Sequence, residues 1–290
     1  MPAISPRFGY GLLTLYVSSN QTNLDLSALF GVSKYQSKID KKIIINSGVV
    51  VGATDTSNYA LSIPNGFGGK IYVVNNGSIQ GAGGAANGGT GGNVIFAGAP
   101  KIYIDNRGTI YSGGGGGGVG GTGGSGYYDC TYTGPCSPSQ AYCAEDPINC
   151  CLEICCGHQC VQNPADYCPG GYTNESIGQN GCAEGGWRIF CPQTCYTSGG
   201  TGGSGGRGQG YDGNFAVGSA GSAGGSNAGT GGTGGTGGDW GMTGSNGGTG
   251  SNGNYTSGSS GGSGGLSGYY IVNNGNVTWI ATGTRAGRVG

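Results

Sequence analysis

Few residues in this chain could do covalent or acid–base chemistry, and their spacing argues against catalysis. His158 is the single histidine of 290 residues and stands between Cys156 and Cys160. Gly202-Gly-Ser204-Gly-Gly206 and Gly261-Gly-Ser263-Gly-Gly265 match the G-x-S-x-G of a hydrolase nucleophile. That motif works only on a strand-to-helix turn, which neither stretch offers. A Ser-His-Asp triad would have to recruit His158 from inside a cysteine run. Glu145 and Asp146 are the best carboxylate pair for a depolymerase, yet they are neighbours before Pro147, in a surface turn. Matches to G-x-G-x-x-G recur with no helix behind them to hold a phosphate. The expectation is a protein that is not an enzyme and binds no cofactor.

Two other residue types are concentrated enough to act. Twelve cysteines lie between Cys130 and Cys195: Cys130, Cys136, Cys143, Cys150, Cys151, Cys155, Cys156, Cys160, Cys168, Cys182, Cys191 and Cys195. Their number is even, two pairs are vicinal and no C-x-x-C knuckle occurs, so disulfides outweigh a zinc site, with His158 keeping the metal alternative open. A segment this small, with few large apolar side chains, needs staples to hold one shape. Disulfides also imply a final environment outside the reducing cytosol. Aromatic residues crowd the same region: Tyr127, Tyr128, Tyr132, Tyr142, Trp187 and Tyr196, with Tyr211, Phe215, Trp240 and Tyr255 farther along. Rings on a rigid frame give contact area at low entropic cost, so these ten are candidate binding residues. Some of those in the cysteine run would cover disulfides instead. Residues 127–196 hold seven Asp/Glu against one Arg, which disfavours a strongly anionic ligand.

What would position them is a glycine frame. Gly makes up 73 of the 290 residues, only 9% of the chain is charged, and Pro numbers just 10. Collagen is therefore excluded, and so is a highly charged disordered chain. No dense basic patch suggests nucleic acid. From Ser198 to Gly268 the glycines fall in threes, as in Thr230-Gly-Gly-Thr233-Gly-Gly-Thr236-Gly-Gly-Asp239. Three residues per turn is polyproline II geometry, which has no internal hydrogen bonds. Such tracts become ordered if several pack side by side and satisfy one another's N–H and C=O groups. The alternative is a flexible Gly/Ser linker.

In chain order, Met1 to Asp40 reads as a separate small element. Leu12–Val17 suits a strand, and Asn23 suits the cap of a short helix ending at Gly31. Two prolines in Met1–Arg7, and Gly9 and Gly11 in the apolar run that follows, argue against a secretory signal. No run is long enough for membrane insertion. From Lys41 short strands begin, and Asn-x-Gly-x-[Ile/Val] repeats as Asn46–Val50, Asn75–Ile79, Asn106–Ile110 and Asn273–Val277. Each follows a β-rich triplet, so stacked rungs or edge-paired hairpins are expected. Glycine tracts Gly81–Gly92 and Gly113–Gly126 follow the second and third copies. The expected parts are a docking segment at 1–42, a β base at 43–112, a tract at 113–126, a cysteine module at 127–196, a glycine bundle at 197–268, and a returning strand and tail at 269–290.

From Ile43 to Gly290 the chain resembles the glycine-rich receptor-binding tips of tailed-bacteriophage tail fibres. The resemblance rests on Asn46-Ser-Gly-Val-Val-Val-Gly-Ala-Thr, Ala60-Leu-Ser-Ile-Pro, Asn75-Asn-Gly-Ser-Ile-Gln-Gly-Ala-Gly-Gly, the GGX tracts and the closing Val277-Thr-Trp-Ile-Ala-Thr-Gly-Thr-Arg-Ala-Gly-Arg-Val-Gly. It implies an all-β fold with a bundle of polyglycine II helices, and far-end loops that contact a host surface. It implies adsorption to a host and a place in the virion tail. Residues 1–40 lie outside the resemblance and carry no recognisable fibre-attachment motif; their dense large aliphatics suit either docking to other tail or baseplate proteins or a local mini-core. A monomeric cap and a homotrimer both remain open. The acidic cysteine module, which departs from the family pattern, favours a neutral host glycan or an outer-surface protein as partner. A purely structural glycine-rich filament protein is the alternative.

Overall fold

Every second residue of the Ile/Val-rich stretches is buried, the mark of strands with one face inward. The computed structural model describes residues 6–9, 11–131, 141–142, 173–176, 187–190 and 192–290. Two compact units emerge: unit 1 comprises Met1–Ser125 and Ser198–Gly290, and unit 2 comprises Gly126–Thr197. Apart from two five-residue helices and one 3-10 turn, the regular structure described is β-strand.

Unit 1 contains a three-faced stack of parallel rungs. Strand β1 (Pro6–Gly9) lies antiparallel on β2 at one edge. The first rung is β2 (Leu12–Val17), β3 (Gln21–Thr22) and β4 (Leu24–Asp25), followed by α1 (Leu26–Phe30) and α2 (Val32–Gln36). The second is β5 (Asp40–Ile45), β6 (Val50–Gly52) and β7 (Leu61–Ile63). The third is β8 (Ile71–Asn75), β9 (Ser78–Gln80) and β10 (Ile95–Ala97). Strands β11 (Ile102–Asn106) and β12 (Thr109–Tyr111) open the fourth rung, which closes only far along the chain. Each strand pairs in parallel with the equivalent strand of the next rung, giving three sheets. Inward residues stack in register, as in Leu15–Ile43–Val73–Ile104, Val51–Ile79–Ile110 and Leu61–Ile95–Ile271. Each buried aliphatic contributes about 1.5–3 kcal/mol over exposure, so a narrow core suffices.

Lys41 and a pair of asparagines are among the polar residues buried with that core. Lys41 is fully buried, and its Nζ donates to the carbonyls of Ser37 (2.6 Å), Ile39 (2.8 Å) and Gly68 (2.7 Å). Burial lowers its pKa, with Asp40 opposing; the three carbonyls use all three donors of the ammonium. At the corner between the first and second sheets, Asn75 Nδ2 donates to Asn106 Oδ1 and Asn106 Nδ2 to the Thr282 carbonyl, both at 2.7 Å. The Asn-x-Gly units at 46, 75 and 106 all form this corner, and they belong to stacked rungs rather than hairpins.

The glycine tracts leave the third and fourth rungs between the second and third sheets. Within the described residues, eight extended tracts run side by side: 81–85, 88–92, 113–125, 198–209, 216–225, 229–238, 242–253 and 256–268. Tract 113–125 lies among six others. Its N–H groups cycle with period three. Gly114, Gly117, Gly120 and Gly123 donate to Gln209, Gly206, Gly203 and Gly200. Gly115, Gly118, Gly121 and Gly124 donate to Met242, Ser245, Gly248 and Ser251, while Gly113 and Gly116 donate to Gly92 and Gly89. Its carbonyls accept from tracts 81–88, 229–238 and 256–268 by the same rule.

This environment explains the unbroken run Gly113–Gly118. A Cβ on Gly114 would fall on the Gly238 carbonyl, on Gly115 on that of Gly265, and on Gly116 on that of Ala85. Three successive residues point in three occupied directions, so none can carry a side chain. The hairpin 81–92 turns back at Asn87–Gly88, beyond which one direction opens. Val119, Thr122 and Ser125 are the residues that point there, and Val119 is 42% exposed. Outward N–H groups on the surface tracts find hydroxyls instead: Thr201 N donates to Ser222 Oγ at 2.8 Å, and Thr230 N to Ser251 Oγ at 2.7 Å. Ser and Thr at the third positions therefore complete the hydrogen bonding of neighbouring tracts.

Unit 2 is described only through its strands. Strand β13 (Gly126–Thr131) pairs with β17 (Pro192–Thr197) as an antiparallel ribbon. Strand β16 (Trp187–Phe190) lies between β14 (Ala141–Tyr142) and β15 (Thr173–Ser176), antiparallel to both. Back in unit 1, β18 (Tyr269–Val272) closes the fourth rung and β19 (Val277–Ala281), β20 (Thr284–Ala286) and β21 (Arg288–Val289) form a fifth.

Several expectations change. Residues 12–36 are not a separate element, because β2 pairs with β5 along its whole length. The helix cap is Asp25, whose carboxylate accepts from Ser27 N and Ala28 N, and not Asn23, which sits in left-handed backbone. Asn273–Val277 lies between the third and first sheets, in a 3-10 turn, so it shares letters but not place with the other three copies. Residues 269–290 are a rung and a third rather than a strand and tail.

Candidate functional site

The bundle has two ends, and the turns at each have different surroundings. At the sheet end are the turns at 210–215 and 239–242. Tyr211 donates its N–H to the Gly81 carbonyl, and its ring lies where a Cβ on Gly52 would be. Asp212 accepts from Gly83 N at 2.8 Å and pairs with Arg207 at 2.7 Å. The Trp240 ring sits 5.8 Å from that of Tyr111. These turns fasten the bundle to the sheets. At the other end, Ser125 and Ser198 begin and end the gap in unit 1, beside the turns at 225–228 and 253–256. Gly225 N donates to the Ser198 carbonyl at 3.0 Å, Thr256 N to that of Ser125 at 3.1 Å, and Asn254 N to that of Asn227 at 3.0 Å.

The ten candidate aromatics are thus divided. Tyr211 and Trp240 pack on the base, and Phe215, 47% exposed, is near them. Tyr255, 57% exposed, lies at the far end of the bundle. Tyr127, Tyr128 and Tyr196 belong to the β13–β17 ribbon of unit 2 and are all exposed. Tyr142 and Trp187 are register partners of β14 and β16, while Tyr132 lies outside the described residues. Among the cysteines, Cys195 is disulfide-bonded and Cys130 lies on β13. The other ten, His158, Glu145 and Asp146 lie outside the described residues. Among the described residues no cluster of His, Cys, Asp or Glu could hold a metal ion, and no helix is long and apolar enough to cross a membrane. The signal that sequence reading missed is register: only strand pairing shows which rings share a face.

The described residues thus offer exposed rings on the strands of unit 2 and, separately, on the turns of unit 1. The chain belongs to the phage tail fibre adhesin Gp38 family, whose model matches residues 12–186, and its function is receptor binding as part of a bacteriophage tail fibre. The match begins at Leu12, the first residue of β2, ahead of the first Asn-x-Gly unit. Among solved structures, a chain of the gp37–gp38 adhesin tip complex of the bacteriophage S16 long tail fiber is similar, with 16% identity and a TM-score of 0.41 over 96% of this chain and 81% of that one. No curated protein matches the sequence.

Proposed function

We propose that this adhesin is a non-catalytic fibre tip in which the eight tracts form a polyglycine II bundle and unit 2 is a disulfide-stapled, receptor-facing head. The observation that supports it is the position of the chain ends. Ser125 and Ser198 sit at the end of the bundle away from the sheets, on tracts paired through Gly123 N and the Gly200 carbonyl at 2.8 Å. An insertion at such a point lengthens a turn without entering the packed tracts. The period-three hydrogen bonding matches polyglycine geometry, since a helix of three residues per turn offers one donor and one acceptor in each of three directions. The partner is a neutral host-surface glycan or an outer-surface protein.

The test is competition for host cells. Purified protein is expected to block phage adsorption in a dose-dependent way. After mild reduction blocking is expected to disappear, while amide protection of Gly113–Gly124 persists. Retained blocking after complete reduction of the cysteines would remove the stapled-head reading. Each lost bridge is worth roughly 2–4 kcal/mol of loop constraint.

Docking to other tail proteins is assigned to residues 1–42. Deleting them would remove a whole rung, so substitutions are the better test. Val32 and Ile39 are 64% and 49% exposed at that end of the chain. Val32→Asp with Ile39→Asp is expected to yield soluble, cell-binding protein that is missing from assembled particles. Incorporation at the wild-type level, measured by immunoblot of purified virions, would place the docking surface elsewhere.

A further inference from the structure

The register of the β13–β17 ribbon sorts its residues into two faces. Its pairs run Gly126–Thr197, Tyr127–Tyr196, Tyr128–Cys195, Asp129–Thr194, Cys130–Gln193 and Thr131–Pro192. Directly opposed residues share a face, and successive residues alternate between faces. One face therefore carries Tyr127 opposite Tyr196. Tyr128, opposite Cys195, belongs to the other face. Tyr127 and Tyr196 are 40% and 63% exposed.

We infer that the Tyr127–Tyr196 face of this ribbon is a sugar-binding face that takes a neutral hexose unit of a host-surface glycan; the inference rests on the receptor-binding reading of unit 2. The chemistry of the pair supports it. A tyrosine ring offers an apolar face to the C–H side of a pyranose, and its hydroxyl can hydrogen-bond at the rim. Paired strands hold the two rings at a fixed separation, so little freedom is lost on binding. Residues 127–196, with seven acidic groups against one arginine, would repel phosphorylated or carboxylated sugars. That selects neutral hexoses and N-acetylhexosamines.

The experiment uses the full chain and immobilised oligosaccharides of glucose, galactose, mannose or N-acetylglucosamine, with saturation-transfer NMR to confirm contact. The wild type is expected to bind at least one of them. Tyr127→Ala with Tyr196→Ala is expected to weaken that binding about tenfold or more, as loss of anchoring aromatics does. Val217→Ala, at an exposed residue of unit 1, is expected to leave it within about twofold, and an unchanged circular-dichroism spectrum of the double variant guards against a folding artefact. Equal loss in both variants, or no loss in the double variant, would overturn the inference. So would failure to bind any neutral oligosaccharide by protein that still adheres to host cells, an outcome that leaves the receptor-binding reading standing. Sugar binding without host adhesion would do the reverse.

Discussion

Gly115→Ala is expected to stop the bundle from assembling, although it adds one methyl group to a residue with ordinary backbone angles. In most settings glycine to alanine is neutral or stabilising, because the unfolded chain loses freedom. Here the new Cβ would land on the carbonyl of Gly265, which is backbone and cannot rotate away. Tract 256–268 would have to move outward. Gly262, Gly265 and Gly268 donate to Val119, Gly116 and Gly113, and Gly244 and Gly247 donate to Gly265 and Gly262, so several backbone bonds would break together. Each unsatisfied buried group costs about 1–3 kcal/mol, so the loss is expected to exceed about 4 kcal/mol. Thermal unfolding and amide exchange at Gly113–Gly124 measure it, and a melting point within about 2 °C of wild type would refute the packing argument. A paired control exists on a neighbouring tract. Gly234→Val would drive a side chain into the Ser204 carbonyl, whereas Thr233 is exposed, so its replacement by Val should be nearly silent.

The side-by-side pairing of the glycine tracts follows a rule that is local in sequence. Period-three glycines fix three directions per turn, and wherever a direction is occupied no side chain fits. Even the aromatics that punctuate Ser198–Gly268 mark places where the chain reverses, at Tyr211–Phe215, Trp240 and Tyr255. The base was half legible. Alternation of buried residues is the same in a hairpin and in a rung. Only pairing across about thirty residues, as of Ile45 with Asn75 and Asn75 with Asn106, distinguishes them. That is why Asn273–Val277 looked like a fourth copy: its letters repeat, but the long excursion before it brings the chain back one sheet later in the circuit. Lys41 shows the limit from the other side. Its position in the strand is inward, yet a lysine there reads as surface until Ser37, Ile39 and Gly68 bring three carbonyls to its ammonium. Among the candidate binding residues, type was readable and grouping was not. Tyr127 and Tyr128 are neighbours in sequence and lie on opposite faces.

Replacing Gly126–Thr197 by a three-residue turn is expected to abolish host adhesion while leaving unit 1 folded. The molecule supplies the turn. Tracts 216–225 and 229–238 are joined by Ser226-Asn227-Ala228, with Ala228 N donating to the Gly225 carbonyl at 3.0 Å. Tracts 113–125 and 198–209 are likewise adjacent and antiparallel, so the same three residues can join Ser125 to Ser198. Closing so short a connection in place of 72 residues lowers loop-closure entropy by roughly 2–3 kcal/mol, provided the excised segment behaves as a free loop in the unfolded state. Unit 1 should therefore melt no lower than in the full chain, and hydrogen exchange in its tracts should be unchanged. Adhesion is measured by binding of labelled protein to host cells and by competition with phage. If the shortened protein still binds at the wild-type level, unit 2 is not the receptor contact. Tyr255 and the turns at 225–228 and 253–256 are then the surface to mutate, because Tyr211 and Trp240 are committed to the base. If instead adhesion and the melting transition of unit 1 fall together, the two units depend on each other for folding.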